Sequence, residues 1–124
     1  MQRFSPGTVR RLLEGRVWIV VMRGDHDLST APDLAAELEQ AFDADAPLVV
    51  DLTAVEFMDS AILNALLTAR EAALARPGGV FALAAPPGGF ASRVLALVVG
   101  DLIPTYANRA AAVAAVAADT YSAP

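Results

Sequence analysis

Residues 48–67 read LVVDLTAVEFMDSAILNALL, and the fold is decided by how they are read. Pro47 precedes a short apolar run, Leu48 to Leu52, whose paired valines suit a strand covered on both faces. A short loop is expected after it. From Leu63 the apolar residues recur at Leu63, Leu66, Leu67 and Leu74, a helical spacing. Asp59 or Ser60 stands just ahead of that stripe, where an N-cap belongs. A hydroxyl at a helix N-terminus faces unpaired backbone N–H groups and the positive end of the helix dipole. Such a position suits a simple cap, the commoner use of a hydroxyl there, and it also tolerates a phosphate.

Working upstream, Val17 to Met22 (VWIVVM) is apolar at every position and reads as a central strand. Val9 to Leu13 is expected to pair with it as an edge strand across the Glu14-Gly15 turn. Arg23 to Asp27 is expected to be a loop. Thr30, with Asp33 three residues on and Pro32 between them, resembles a capping box opening a first helix. Leu34, Leu38 and Phe42 would form that helix's buried stripe.

Downstream, Arg76-Pro77-Gly78-Gly79 should stop the second helix, and Val80 to Ala84 should be a fourth strand. Pro86-Pro87-Gly88-Gly89 reads as a loop. Ser92 to Val99 reads as a short helix ended by Gly100. Ile103 to Tyr106 is a weak strand, confined by Pro104 to an edge or a bulge. Asn108 would cap a last helix to about Ala118, leaving 119–124 as a disordered tail. After the initial hairpin, strands and helices alternate. The expectation is one α/β domain over 1–118 with a mostly parallel sheet.

Composition narrows the chemistry. At 124 residues and 56% hydrophobic, the chain can bury a core of its own. With a net charge of −5 and no basic cluster, it is a poor match for nucleic acid or an anionic membrane surface. There is no Cys, so disulfides and thiolate chemistry are excluded. All nine basic residues are Arg, so there is no Lys for a P-loop or a Schiff base. No secretory h-region opens the sequence, and no apolar run reaches the length of a membrane span. The expected location is cytoplasmic, without membrane insertion.

The central stretch resembles the signature of STAS domains, most closely that of bacterial anti-sigma factor antagonists. Their apolar strand ends in Asp-Leu and is followed by F-[ML]-D-S-[ST]-G-L at a helix start. Asp51, Leu52, Val55, Phe57, Met58, Asp59, Ser60 and Leu63 match. Ala61 replaces a frequent second Ser or Thr, and Ile62 replaces the usual Gly. A looser likeness lies upstream, where Gly24-Asp25-His26-Asp27 stands for Gly-Glu-Leu-Asp.

The resemblance implies a mixed sheet of about five strands with four helices. It also implies a function without catalysis. The unphosphorylated protein would bind a serine-kinase anti-sigma factor and so release a sigma factor. Phosphorylation at Ser60 would abolish binding, and a phosphatase would restore it. Asp27, Asp59, Ser60, Ala61, Ile62 and Asn64 would form the partner-binding face. The altered Ala61 and Ile62 also admit a second reading: a phosphorylation-independent module docking on a transporter ATPase subunit or a signalling scaffold.

Asp59 reads equally as a cap or as a residue touching the partner. Asp51 is expected at the strand end, accepting loop N–H bonds. Ile62 lies one place off the leucine stripe and is expected to be partly exposed beside Ser60. His26, the single histidine, is expected on a surface loop. With Asp25 and Asp27 it is a weak zinc set, so no metal and no cofactor are expected. A Ser-His-Asp hydrolase built on Ser60 would lack the G-x-S-x-G elbow. A phospho-accepting receiver domain would lack its Lys.

Overall fold

A computed structural model describes residues 6–43, 46–76 and 79–122. The first pair of strands, β1 (Thr8–Glu14) and β2 (Val17–His26), forms an antiparallel hairpin turned at Gly15, whose φ is +59°. Helix α1 (Ala31–Asp43) follows, then β3 (Leu48–Met58), α2 (Ser60–Leu74), β4 (Phe81–Ala84), α3 (Phe90–Val98), β5 (Thr105–Tyr106) and α4 (Arg109–Ser122). The five strands lie in the order β1-β2-β3-β4-β5, and all pairs after the hairpin are parallel. This is the mixed, mostly parallel sheet with four helices that the alternation and the resemblance led one to expect.

Side-chain alternation divides the core into two layers. Val20, Met22, Leu48, Val50 and Leu52 point to the face covered by α1, α2 and α3. Val17, Ile19, Val21, Val49 and Ala82 point to the other face, where Ala112 and Val116 of α4 cover them. Strands covered on both faces need apolar residues at every position, which is why β2 opens with VWIVVM and β3 with LVV.

Two expected loops are strands. Arg23 to His26 continues β2, and Thr53 to Met58 continues β3, so the two run side by side beyond the reach of β4. Irregularities at Val21/Arg23 and Gly24/Asp25 break the register between them, and Gly24 takes a φ of +79° there. The Pro77-Gly78 helix stop lies outside the described residues. Helix α3 closes as expected at Gly100, whose amide donates to the Leu95 carbonyl at 2.9 Å with φ +58°. Asn108 caps α4 through Oδ1, which accepts from the Ala111 amide at 2.8 Å. Helix α4 continues to Ser122, past the expected end near Ala118. Residues 123–124 lie outside the described residues.

Candidate functional site

The parallel strands β2 and β3 end at the same edge, and the residues just beyond them meet there. The Asp59 amide donates to the His26 carbonyl at 3.2 Å, which ties the two strand ends together. Asp59 itself has extended backbone (φ −107°, ψ −173°) and is the N-cap of α2. Its Oδ1 accepts from the Ala61 amide at 2.9 Å and the Ile62 amide at 3.3 Å. The Leu63 amide donates to the Asp59 carbonyl. One aspartate thus takes up the first donors of the helix.

Ser60 is consequently free of the capping task. It is the first residue of α2 and exposed, and among the described residues its hydroxyl has no hydrogen-bond partner. Asn64, one turn further on, is also exposed, and Ala61 is half-buried. Asp27 stands exposed just past the end of β2. Its Oδ1 accepts from the Ser29 hydroxyl at 2.6 Å and the Ser29 amide at 2.9 Å. Those bonds hold its carboxyl below the ordinary value. Leu28, 73% exposed, shares one concave surface with Ala61 and Asn64.

Three expectations need correction. Ile62 is fully buried at 0% exposure, not at the surface beside Ser60. The buried stripe of α2 runs Ile62, Leu66, Ala69, Ala73, with Leu63 beside it, while Leu74 is exposed. Ile62 therefore belongs to the core and not to a docking face. Asp51 lies within β3 rather than at its end. It faces α4, where its Oδ2 accepts from Arg109 Nε at 2.7 Å, while its Oδ1 accepts from the Thr53 amide and hydroxyl.

His26 is the third. It is buried at 0% exposure within β2, not on a surface loop. Its Nε2 lies 2.9 Å from the Arg23 carbonyl, which can only accept, so that nitrogen carries a proton. Nδ1 faces the Thr30 hydroxyl at 3.1 Å. Thr30 in turn accepts from the Asp27 amide and donates to the Asp27 carbonyl. The Thr30 hydroxyl thus bonds backwards into the turn, and the residue's main-chain carbonyl receives the Leu34 amide at the start of α1. Strand alternation sends Asp25 and His26 to opposite faces, so the D-H-D run does not converge. Among the described residues, no three His, Asp or Glu side chains come together to hold a metal.

Removing the cap isolates its local role. Asp59→Ala is expected to cost about 1 kcal/mol of stability, within a range of about 0.5–2 for lost caps. Asp59→Asn should restore most of it, since the amide oxygen accepts the same bonds. Urea denaturation of both variants checks this. An Ala variant as stable as the parent would show that α2 does not need the cap.

A family model described as "Mlab, STAS domain" matches residues 10–104. No curated protein sequence matches the chain. Among solved structures, the chain is similar to an anti-sigma factor antagonist from Mycobacterium paratuberculosis. The two share 25% identity and a TM-score of 0.79 over 90% of this chain and 95% of that one. It is also similar to the anti-sigma factor antagonist SpoIIAA in its unphosphorylated form, with 16% identity and a TM-score of 0.71 over 90% and 97%. The phosphorylated form of SpoIIAA, a Bacillus cell fate determinant, matches at 16% identity with a TM-score of 0.64 over 90% and 99%. With the family model spanning most of its length and the sheet and helices in the same arrangement, the chain belongs to the STAS domain family.

Proposed function

We propose that this protein is an anti-sigma factor antagonist whose docking is switched at Ser60. The unphosphorylated chain binds a serine-kinase anti-sigma factor, and a sigma factor is released. The observation that carries this reading is the exposed Ser60 hydroxyl at the first position of α2, beside a cap that Asp59 already supplies. The kinase transfers the γ-phosphoryl group of ATP to Ser60 Oγ, which gives up its proton. A phosphatase acting on phosphorylated Ser60 reverses the change. The role belongs in the cytoplasm, where ATP and sigma factors are found. Among the described residues, no helix is long and apolar enough to cross a membrane.

The physical consequence of phosphorylation is local. It adds about 1.5–2 negative charges at Ser60. The Ala61, Ile62 and Leu63 amides are already engaged by Asp59, so little backbone is left to neutralise the new oxygens. The phosphate stays on the surface, where a partner fitted to a neutral hydroxyl must desolvate it. Contact is lost without refolding. We also take the chain to act by binding rather than catalysis: His26 is buried with both ring nitrogens engaged, and Asp51 is held by Thr53 and Arg109.

Incubation with the cognate kinase and ATP, followed by mass spectrometry, should place the phosphate on Ser60. Ser60→Ala should remain unmodified and still bind. Ser60→Asp should bind at least about tenfold more weakly, a difference of about 1.4 kcal/mol. Modification elsewhere, or none, would end this reading. The second reading, a module docking on a transporter ATPase subunit or scaffold regardless of phosphorylation, keeps one observation in its favour. Ala61, half-buried beside Ser60, stands where the resemblance puts a second Ser or Thr. Equal binding by Ser60→Ala and Ser60→Asp would favour it.

A further inference from the structure

Three elements meet at one buried ring. His26 ends β2 and is fully buried. Its main-chain carbonyl accepts the Asp59 amide, and Asp59 is the cap that sets Ser60 at the start of α2. Its ring reaches the other way, with Nδ1 3.1 Å from the hydroxyl of Thr30, the residue just ahead of α1. Two further contacts hold the ring in place. Nε2 donates to the Arg23 carbonyl at 2.9 Å, and Gly7 lies so close over the ring that a Cβ there would come to 3.0 Å from Cε1.

The Thr30 hydroxyl is the junction between that ring and the surface. It accepts from the Asp27 amide and donates to the Asp27 carbonyl, both at 3.1 Å. The same carbonyl accepts the Thr30 and Ala31 amides at 3.0 and 3.1 Å, where the chain turns into α1. The main chain of Asp27 is thus held on both sides through one hydroxyl, and His26 holds the hydroxyl. A turn that must be ordered on docking takes the cost of that ordering out of the affinity. An apolar side chain in place of either polar group would fill similar space and leave the Asp27 turn without its tie to the strand end.

We propose that His26 and Thr30 are positioning residues for docking. Together they fix Asp27 relative to Ser60, so that the partner meets the two as one rigid pair. His26 is buried and acts through Thr30, which acts through Asp27. The inference rests on the Ser60 reading and adds which residues keep that face assembled.

The test uses the full chain, its cognate kinase and ATP, with KM and kcat for Ser60 phosphorylation measured separately. Thr30→Val keeps the side-chain shape and removes the hydroxyl. It should raise KM for the protein substrate about fivefold, the scale of one neutral hydrogen bond, and leave kcat unchanged. Thr30→Ser should bring KM back to within about twofold of the parent. In an Asp27→Ala background, where KM is already raised, Thr30→Val should change nothing further. His26→Leu should match Thr30→Val, and should it fail to fold, the threonine variants decide by themselves. Hydrogen exchange gives a second readout: the Asp27 amide should exchange at least about fivefold faster in Thr30→Val and at the parent's rate in Thr30→Ser. A parental KM in Thr30→Val would overturn the inference, as would a loss confined to kcat, a loss that Thr30→Ser does not rescue, or an undiminished further loss in the Asp27→Ala background. With the parent modified at Ser60, each of these results leaves the switch standing. A parent left unmodified at Ser60 would overturn both.

Discussion

An Ile62→Gly chain is expected to lose about 3–6 kcal/mol of unfolding free energy. Truncating a buried isoleucine to alanine costs about 2–5 kcal/mol through lost burial and the cavity left behind. Glycine within a helix adds about 1 kcal/mol over alanine. Ile62 is fully buried, in the cluster that also holds Leu34, Leu52, Leu66 and Leu83, so the space does not open to water. A small domain has only about 5–15 kcal/mol in total, so much of this chain's stability would go. The resemblance puts glycine at this position in relatives, and the expected loss shows why the two residues do not exchange freely here. Urea denaturation measures it. Ile62→Val should cost only about 0.5–1.5 kcal/mol and is the variant with which to ask whether Ile62 affects partner choice. A loss under about 1 kcal/mol in Ile62→Gly would mean that neighbouring side chains refill the space.

How much of the fold is legible in the sequence depends on how local each signal is. The strand after Pro47, the all-apolar run of β2 and the helix start at Asp59-Ser60 are short-range patterns, and the structure places all three where they were expected. The far ends of β2 and β3 were not legible. Arg23 to His26 and Thr53 to Met58 carry polar residues at irregular intervals, because two register shifts break the period of two and no third strand covers β3 there. Ile62 was misplaced by counting leucines alone. With alanine counted, Ile62, Leu66, Ala69 and Ala73 form a stripe spaced four, three and four, so that signal was present. The contact of His26 with Thr30, at 3.1 Å, joins the end of a strand to the turn before α1, and no periodicity announces it. The contact between Asp51 and Arg109 spans 58 residues, and nothing local announces it.

That contact supports the second large expectation: Arg109→Ala should cost about 2–3 kcal/mol at pH 7, on the scale of a charged hydrogen bond withdrawn from a buried carboxylate. Asp51 is 2% exposed, and Arg109 is what joins it to α4. The loss should fall short of the ~3–5 kcal/mol typical when a fully buried pair is broken. The Arg109 side chain is 31% exposed and reaches Glu14 at 3.7 Å, so water already enters from that side, and Thr53 continues to donate to Oδ1. The sign with pH comes from the carboxylate. Burial pushes Asp51 up, but the Thr53 hydroxyl and amide, together with Arg109, more than reverse this and hold it below 3.8. A carboxyl depressed in the folded state contributes stability that is complete above the unfolded value. That contribution is lost as pH falls from there through the depressed one. The cost of Arg109→Ala should therefore shrink on going from pH 7 to below the ordinary carboxylate range. In Arg109→Ala itself the acid-side decline due to Asp51 should be smaller and end at higher pH than in the parent, because one of the groups that holds the folded carboxyl down is gone while the unfolded value is unchanged. Urea denaturation at pH 7 and about pH 3 measures both effects. The double variant with Asp51→Asn should recover part of the pH 7 loss, since no buried charge is then left without its cation. If Arg109→Ala costs the same at both pH values and Asp51→Asn recovers nothing, Arg109 holds α4 by packing its stem rather than by its charge.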